Sequence, residues 1–350
     1  MPSCLIAAGG TAGHVLPALA VAESLKSRGA RVVLAGRPDS IEERLAASAD
    51  VPFEDFRVEG IPREASTRLA RALALDAAAP AACLRILRRR RPDVVLGAGG
   101  YVGGPMVLAA RLLRIPAGLT EADAHFGLAN RLAAPFAERI FLAFPIDGVS
   151  GVKVRVVGRP IPARSRPPGR EEARRTFGLP PDGTVVLVFG GSQGARRLNE
   201  AALEAFAEEG PAVLHLAGER DFPRLRERVG RDDYRLLAFT EEFGAALAAA
   251  DLVVARAGGS VWEVAAAGKP ALLVPYPHAT GDHQAKNARW FERGGGAVVV
   301  PEAELDLRRQ VEELLADPAR LGRMASAMRA LARPDAADVV ARELIALARA

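Results

Sequence analysis

The sequence predicts an α/β protein of two units, each a mostly parallel β-sheet covered by helices, on three observations. Short apolar runs alternate with amphipathic stretches from one end to the other, the pattern of strands and helices taken in turn. These runs fall into two series, parted by a proline-rich segment that neither a helix nor a central strand can cross. The chain has 350 residues, 49% of them hydrophobic, too many for one ordinary core and enough for two.

In chain order, the first series of strands is Cys4 to Ala8, Arg31 to Ala35, Val94 to Gly97, Ala117 to Thr120 and Arg139 to Leu142. Four prolines between Gly158 and Gly169 then mark the interdomain linker. The second series is Thr184 to Phe189, Ala212 to Leu216, Leu236 to Phe239, Leu252 to Ala255, Ala271 to Val274 and Ala297 to Val300. From Pro318 the chain is helical by periodicity, with Leu321, Met324, Met328 and Leu331 at spacings of three and four, then Val339, Leu344 and Leu347 beyond Pro334. The expected domains are 1–158 and 159–333, with 334–350 a last helix that packs on either domain, the first being favoured.

Composition narrows the chemistry. Two cysteines, Cys4 and Cys83, and five scattered histidines make disulfide frameworks and structural zinc unexpected, and a reducing compartment the default. No apolar run approaches the ~18 residues of a membrane span, and Met1 to Val15 lacks the basic start of a signal peptide, so a cytoplasmic protein is expected. The net charge of +5 is unevenly spread: residues 1–158 hold 20 basic and 15 acidic side chains, and the rest 27 of each. Much of the excess lies between Arg63 and Arg91, where Arg68, Arg71, Arg85 and Arg88 to Arg91 flank leucines. Such a stretch suits an anionic bilayer surface or, more blandly, a solvated helix end that complements the helix dipole. Nucleic acid is disfavoured, because only 5% of residues are aromatic and no basic and aromatic stacking surface is visible.

Four strands run into glycine-rich turns that open helices: Gly9 to His14, Gly97 to Gly104, Gly190 to Gly194 and Arg256 to Ser260. Glycine lets the backbone approach a ligand, and the free N–H groups of a helix's first turn favour phosphate. One such turn serves packing alone; four, shared equally between two α/β halves, point to phosphate-bearing ligands at the carboxyl ends of the strands. A dehydrogenase fits poorly, since Gly10-x-x-Gly13 lacks the full GxGxxG spacing and Arg37, not an acid, follows the second strand. Arg37 keeps an NADP alternative open. No GxxxxGK[ST] loop occurs, which disfavours kinase or ATPase chemistry.

Gly9-Gly-Thr-Ala-Gly-His14 with Pro17, Gly99-Gly-Tyr-Val-Gly-Gly-Pro105, Gly190-Gly-Ser-Gln-Gly-Ala-Arg196 with Asn199, and Ala265 to Pro270 through Pro275-Tyr-Pro-His278 to Asp282-His-Gln284 and Asn287 together resemble the MurG family. These are UDP-GlcNAc-dependent transferases of bacterial cell-wall synthesis, which convert lipid I to lipid II. The resemblance runs over nearly the whole chain in the right order. It implies a GT-B fold, two Rossmann-like domains facing a cleft, with the lipid-linked acceptor on the first domain and UDP-GlcNAc on the second. It also implies a peripheral protein on the cytoplasmic face of the cell membrane, with no cofactor and no protein-held metal.

The family's site residues fall on named positions here. Ser192 and Gln193 match the donor-diphosphate loop, with Gly259 and Ser260 on its other side. Glu263 matches the acid for the ribose hydroxyls, Thr240 the uracil position, and Gln284 the sugar-hydroxyl contact, with His283 beside it. On the acceptor side Thr11, Ala12 and Gly13 are substrate-binding candidates. His14, at the mouth of a helix, is the candidate general base, since an imidazole titrates near neutral pH; the bland alternative is a first-turn histidine that bonds its own loop. Glu121, at a strand end, is the second candidate base, ahead of His125, His215 and His278. The sequence also departs from the pattern. Thr120-Glu-Ala-Asp123 stands where the family has His-Glu-Gln-Asn, so Asp123 takes the Asn contact, and Gly158-Arg-Pro-Ile-Pro162 lacks a terminal Arg that Arg159 or Arg164 would replace. Ala12 replaces a usual glycine, and the turn from Arg256 to Glu263 is one residue short. Rival readings are another GT-B transferase with a diacylglycerol or natural-product acceptor, and a non-catalytic nucleotide-sugar-binding subunit.

Overall fold

A computed structural model describes residues 1–59, 67–191 and 194–349, the side chains of 67–77 and of Arg164 excepted. The described chain forms two compact units, Met1–Pro162 with Pro334–Ala350, and Ala163–Arg333.

The first unit holds a seven-stranded sheet of β1 Ser3–Ala7, β2 Arg31–Gly36, β3 Phe53–Asp55, β4 Val94–Gly97, β5 Ala117–Glu121, β6 Arg139–Leu142 and β7 Val154–Val156. Every pairing is parallel, in the order β3-β2-β1-β4-β5-β6-β7. Both faces are covered, as a parallel sheet requires, so β1 is a continuous apolar run rather than an alternating one. Its residues still divide by period two. Cys4 and Ile6 face the helices Ala12–Ser27 and Ala336–Leu347, while Leu5 and Ala7 face Thr67–Arg90 and Gly100–Leu112. The last helix buries Val340, Ala341 and Leu344 in that first layer, and Asp338 accepts from Ser24 Oγ at 2.6 Å and pairs with Arg28 at 3.1 Å. Two strands, β3 and β7, are absent from the sequence reading. Each is an edge strand of three residues interrupted by charge, Glu54 and Asp55 in β3 and Arg155 in β7, so neither makes an apolar run.

The second unit holds β8 Val185–Phe189, β9 Ala212–Leu216, β10 Tyr234–Leu237, β11 Leu252–Ala255, β12 Ala271–Leu273 and β13 Ala297–Val299. These are again all parallel, in the order β10-β9-β8-β11-β12-β13. The expected strand Leu236 to Phe239 is corrected to β10, two residues earlier. Pairing with β9 stops at Leu237 opposite Leu216, and Phe239 lies beyond it, 57% exposed. Among the described residues no helix is long and apolar enough to cross a membrane.

Candidate functional site

In both sheets the strand order reverses once, between β1 and β4 and between β8 and β11. At such a point the loops leaving the two central strands diverge to opposite faces, and the gap at their carboxyl ends is where open α/β sheets bind ligands. The four glycine turns follow β1, β4, β8 and β11, the strands that flank the two reversals.

In the first unit the two turns interlock. Gly10 is left-handed, and a Cβ there would touch the Tyr101 ring at 3.3 Å; Gly99 is left-handed too, and a Cβ there would lie 2.6 Å from His14 Cδ2. Each turn therefore seats an aromatic ring of the other. Thr11 begins the helix Ala12–Ser27, its extended backbone accepting from His14 N at 3.0 Å, and its hydroxyl lies 3.3 Å from His14 Nδ1. Ala12, Gly13 and His14 thus occupy the first turn, which carries no acid. The Tyr101 hydroxyl accepts from Arg37 at 3.0 Å, and buried Glu42 accepts from Arg37 N at 3.3 Å.

Glu121 ends β5 and is buried. One carboxylate oxygen accepts from the amides of Ala122 at 3.0 Å and Asp123 at 3.3 Å. The other accepts from Gly127 N at 3.0 Å and Asn130 Nδ2 at 2.9 Å. Burial raises its pKa above the ordinary carboxylate value, and the bonds from Gly127, Asn130 and Asp123 pull it only part of the way back. With four donors on about four lone-pair sites, this carboxylate is fitted to shape the loop after β5. Asp123 lies in that loop. Arg159, also buried, donates to the Gly13 carbonyl and to the Ala122 carbonyl at 3.4 Å, tying the helix mouth to the same loop.

In the second unit Gly191 and Gly194 are left-handed, and the helix Arg196–Phe206 follows. Ser192 and Gln193 lie outside the described residues, as does the Arg164 side chain. Gly259 and Ser260 form the turn after β11, and the helix Val261–Ala266 carries Glu263, which accepts from buried Ser165 Oγ at 2.5 Å. Arg256 is buried beneath the turn, donating to the carbonyls of Val274 at 3.1 Å and Pro275 at 3.2 Å and pairing with Glu302. Its guanidinium stands 5.6 Å from the centre of the Tyr276 ring. Gln284 accepts from Tyr276 N at 2.9 Å, and His283 donates from Nδ1 to the Thr280 carbonyl at 2.9 Å. Thr240, just past β10, accepts from Glu242 N at 3.1 Å. The turns bearing Gly259 and Thr240 follow β11 and β10, and the helix His283–Arg293, whose first turn bears Gln284, follows β12, so all lie toward the carboxyl edge of one sheet.

Models of known families match both units: the glycosyltransferase family 28 N-terminal domain over residues 4–142, and the family 28 C-terminal domain over 185–340. A relative from Rubrobacter xylanophilus is 44% identical over 338 residues, 94% of this chain and 99% of its own. One from Halorhodospira halophila is 43% identical over 353 residues, 96% of each chain. Both bear the name UDP-N-acetylglucosamine–N-acetylmuramyl-(pentapeptide) pyrophosphoryl-undecaprenol N-acetylglucosamine transferase. The chain belongs to glycosyltransferase family 28, in its MurG branch. The crystal structure of Acinetobacter baumannii MurG is similar throughout, with a TM-score of 0.78 at 29% identity over 99% of this chain and 100% of that one. The fold is therefore the family's GT-B fold of two Rossmann-like domains.

Within this family 28 framework several residues that the sequence did not single out brace the turns and loops. Tyr101 and Arg256 stood inside quoted motifs, but their partners are far along the chain; Ser165 and Asn130 carried no signal. Lys269, inside the Ala265 to Pro270 segment, is not brought to the site. It precedes β12, at the amino edge, and donates to the carbonyls of Ala248 at 3.1 Å and Ala250 at 2.7 Å. His215 is also removed from the candidate bases: it is fully buried inside β9, and desolvation pushes its pKa down to about 3, so it is neutral at any working pH. His278 is exposed beside Tyr276, their ring centres 5.6 Å apart. Among the described residues no group of three His, Cys, Asp or Glu is placed to hold a metal ion.

Proposed function

We infer that this chain is a hexosyltransferase that moves GlcNAc from UDP-GlcNAc to lipid I, giving lipid II in peptidoglycan synthesis. The observation that carries the reading is the placement of all four glycine turns at the two strand-order reversals, in a chain that family 28 matches across both units. On this reading the second unit takes the donor. The turn Gly190 to Gly194, with Ser192 and Gln193, holds the diphosphate at the mouth of the helix Arg196–Phe206, with Gly259 and Ser260 opposite. Glu263 accepts from the ribose hydroxyls, Thr240 offers its backbone to uracil, and Gln284 and His283 meet the sugar, with Arg164 the remaining candidate contact.

The first unit takes the acceptor, with Thr11, Ala12, Gly13 and Asp123 around its diphosphate and sugar. The muramyl 4-hydroxyl attacks the anomeric carbon of GlcNAc, the bond from that carbon to the UDP oxygen breaks with inversion, and UDP leaves with the electron pair. Backbone amides and the helix dipole stabilise the departing charge. His14 accepts the hydroxyl proton.

The acceptor is lipid-linked, and the first unit offers a surface suited to a bilayer. Leu112, Leu128 and Leu132 are 62%, 64% and 66% exposed, on the adjacent helices Gly100–Leu112 and Leu128–Ala133. Arg111, Arg114 and Arg131 stand exposed beside them in sequence. The chain is on this account a peripheral protein of the cytoplasmic membrane face. UDP release from UDP-GlcNAc and a lipid I analogue tests the assignment. The parent protein turns over, and His14→Ala lowers kcat by about 10²- to 10⁴-fold. No turnover by the parent removes the enzyme reading, and equal use of UDP-glucose or UDP-GalNAc removes the sugar assignment.

A further inference from the structure

Beneath the Gly190 to Gly194 turn lies a chain of buried polar side chains that the reaction as described does not use. Asn199, in the first turn of the helix Arg196–Phe206, is fully buried and donates from Nδ2 to the Ala217 carbonyl at 2.9 Å and to Asp221 Oδ2 at 3.0 Å. Both amide hydrogens are then used, and Oδ1 faces His215 Nε2 at 3.0 Å. An amide oxygen only accepts, so the imidazole carries its hydrogen on Nε2. The bare Nδ1 accepts from the Tyr234 hydroxyl at 2.9 Å. Every donor and acceptor in the chain has one consistent assignment.

The far end of this chain is the wall on which the turn rests. Gly194 is left-handed, and a Cβ on it would lie 2.5 Å from the Ala217 carbonyl oxygen and 3.6 Å from Asp221 Oδ2. Its own N–H closes the turn on the Gly191 carbonyl at 2.9 Å. The two groups that Gly194 abuts are thus the two to which Asn199 donates. Apolar residues would fill the same volume without desolvating three polar groups, whereas a fully satisfied network fixes one arrangement.

We infer that Tyr234, His215 and Asn199 form a positioning relay that fixes the placement of Gly194, where the glycine turn meets the helix Arg196–Phe206, and with it the affinity for the donor diphosphate. The inference rests on the reading of that turn as the diphosphate site. None of the three touches the donor; they act through Ala217, Asp221 and Gly194. The titratable groups facing His215 are Tyr234, from β10, and, across Asn199, Asp221 from the loop after β9.

The test uses the full-length protein. His215→Leu removes the donor to Asn199, and His215→Gln returns an N–H near the position of Nε2. The expected result is a rise of tenfold or more in the KM for UDP-GlcNAc and the Kd for UDP with His215→Leu, kcat staying within threefold and the KM for the lipid I analogue unchanged. His215→Gln restores both to within threefold. Donor KM and Kd within twofold of the parent in folded His215→Leu, or equal rises for both substrates, overturn the relay. Should His215→Leu fail to fold, Tyr234→Phe, which deletes one hydroxyl, decides: about a threefold rise in donor KM alone supports the relay, and no change overturns it. Nitrogen-15 spectra of His215 must show the Nε2–H tautomer from pH 5 to 8, and the other tautomer overturns the assignment. If the parent did not bind UDP, the donor reading itself would fall and take the relay with it, an outcome distinct from a failure seen only in the variants.

Discussion

At Glu121 burial and hydrogen bonding pull one carboxyl in opposite directions, and the balance separates two roles. A general base needs a lone pair directed at substrate, while a loop organiser spends its lone pairs on its own chain, as this carboxylate does with three backbone amides and Asn130. Glu121→Gln should therefore cost about 1–3 kcal/mol, because an amide NH2 must face an N–H donor on one side, yet lower kcat less than tenfold. Urea unfolding and UDP release measure the two; a kcat loss of 10²-fold or more with unchanged stability would return Glu121 to the role of base. His215 gives a pH dependence with a fixed sign. Its folded pKa of about 3 lies below the ordinary 6.5, so the unfolded chain binds more protons between those values, and stability is complete above about pH 6.5 and lost as pH falls. At about 1.4 kcal/mol per unit, stability should drop by roughly 2 kcal/mol between pH 7 and 5, and His215→Gln should abolish most of that drop. Burial pushes Cys4 and Cys83 up to about 12, so neither should react with iodoacetamide at pH 8 until the chain unfolds, as intact-mass measurement would show. The glycine turns were legible because left-handed backbone displays itself as glycine, whereas Glu263 stood out only through the segments that resemble the MurG family, and His14 through those and its place at a helix mouth. Arg159 was legible only as a substitute donor contact, because its bond to Gly13 spans 146 residues, and the Ser165 to Glu263 bond spans 98.

Among the elements, the helix Ala336–Leu347 belongs by packing to a sheet whose last strand ends 180 residues earlier, at Val156. Leu344 is fully buried against Phe141 and Gly118, and Leu344→Ala should destabilise the first unit by about 2–5 kcal/mol. Chemical denaturation followed by Trp fluorescence would miss this, since Trp262 and Trp290 lie in the second unit; far-ultraviolet circular dichroism or calorimetry would register it, and a single transition unchanged by the substitution would sink the claim. Central strands were legible because burial on both faces writes a continuous apolar run. The edge strands β3 and β7, broken by charged residues, were not, and the omission of β3 had a chemical consequence. Glu54, buried in β3, pairs with Arg89 and Arg90 at the end of the helix Thr67–Arg90. A basic block that read as an unbalanced surface thus carries an internal counter-charge on the strand that the sequence concealed. Of the remaining cations in that stretch, Arg63, Arg68 and Arg71 have side chains outside the described residues.

Over the whole molecule the charge asymmetry holds when the two units are drawn by packing. The first unit, with its returning tail, holds 23 basic and 18 acidic residues, the second 24 of each, so the excess of +5 stays with the first. Uneven charge matters at a membrane because each cation near an anionic surface contributes about 1 kcal/mol within a Debye length of roughly 8 Å. Besides Arg85, Arg88 and Arg91, which stay exposed in the basic stretch, the first unit presents Arg111, Arg114 and Arg131 around the exposed Leu112, Leu128 and Leu132. Changing Arg111, Arg114 and Arg131 to Gln should weaken binding of the full-length protein to vesicles holding one-third phosphatidylglycerol by roughly 100-fold, from about 1 kcal/mol each, and the difference should shrink in 0.5 M salt. Leu128→Gln with Leu132→Gln should weaken binding to the same vesicles without reducing its salt sensitivity, because it removes apolar insertion and leaves the field intact. Three equal changes in the second unit, at Arg308, Arg309 and Arg323, should leave binding unaltered, and a comparable loss there would show that the membrane senses net charge and not this surface.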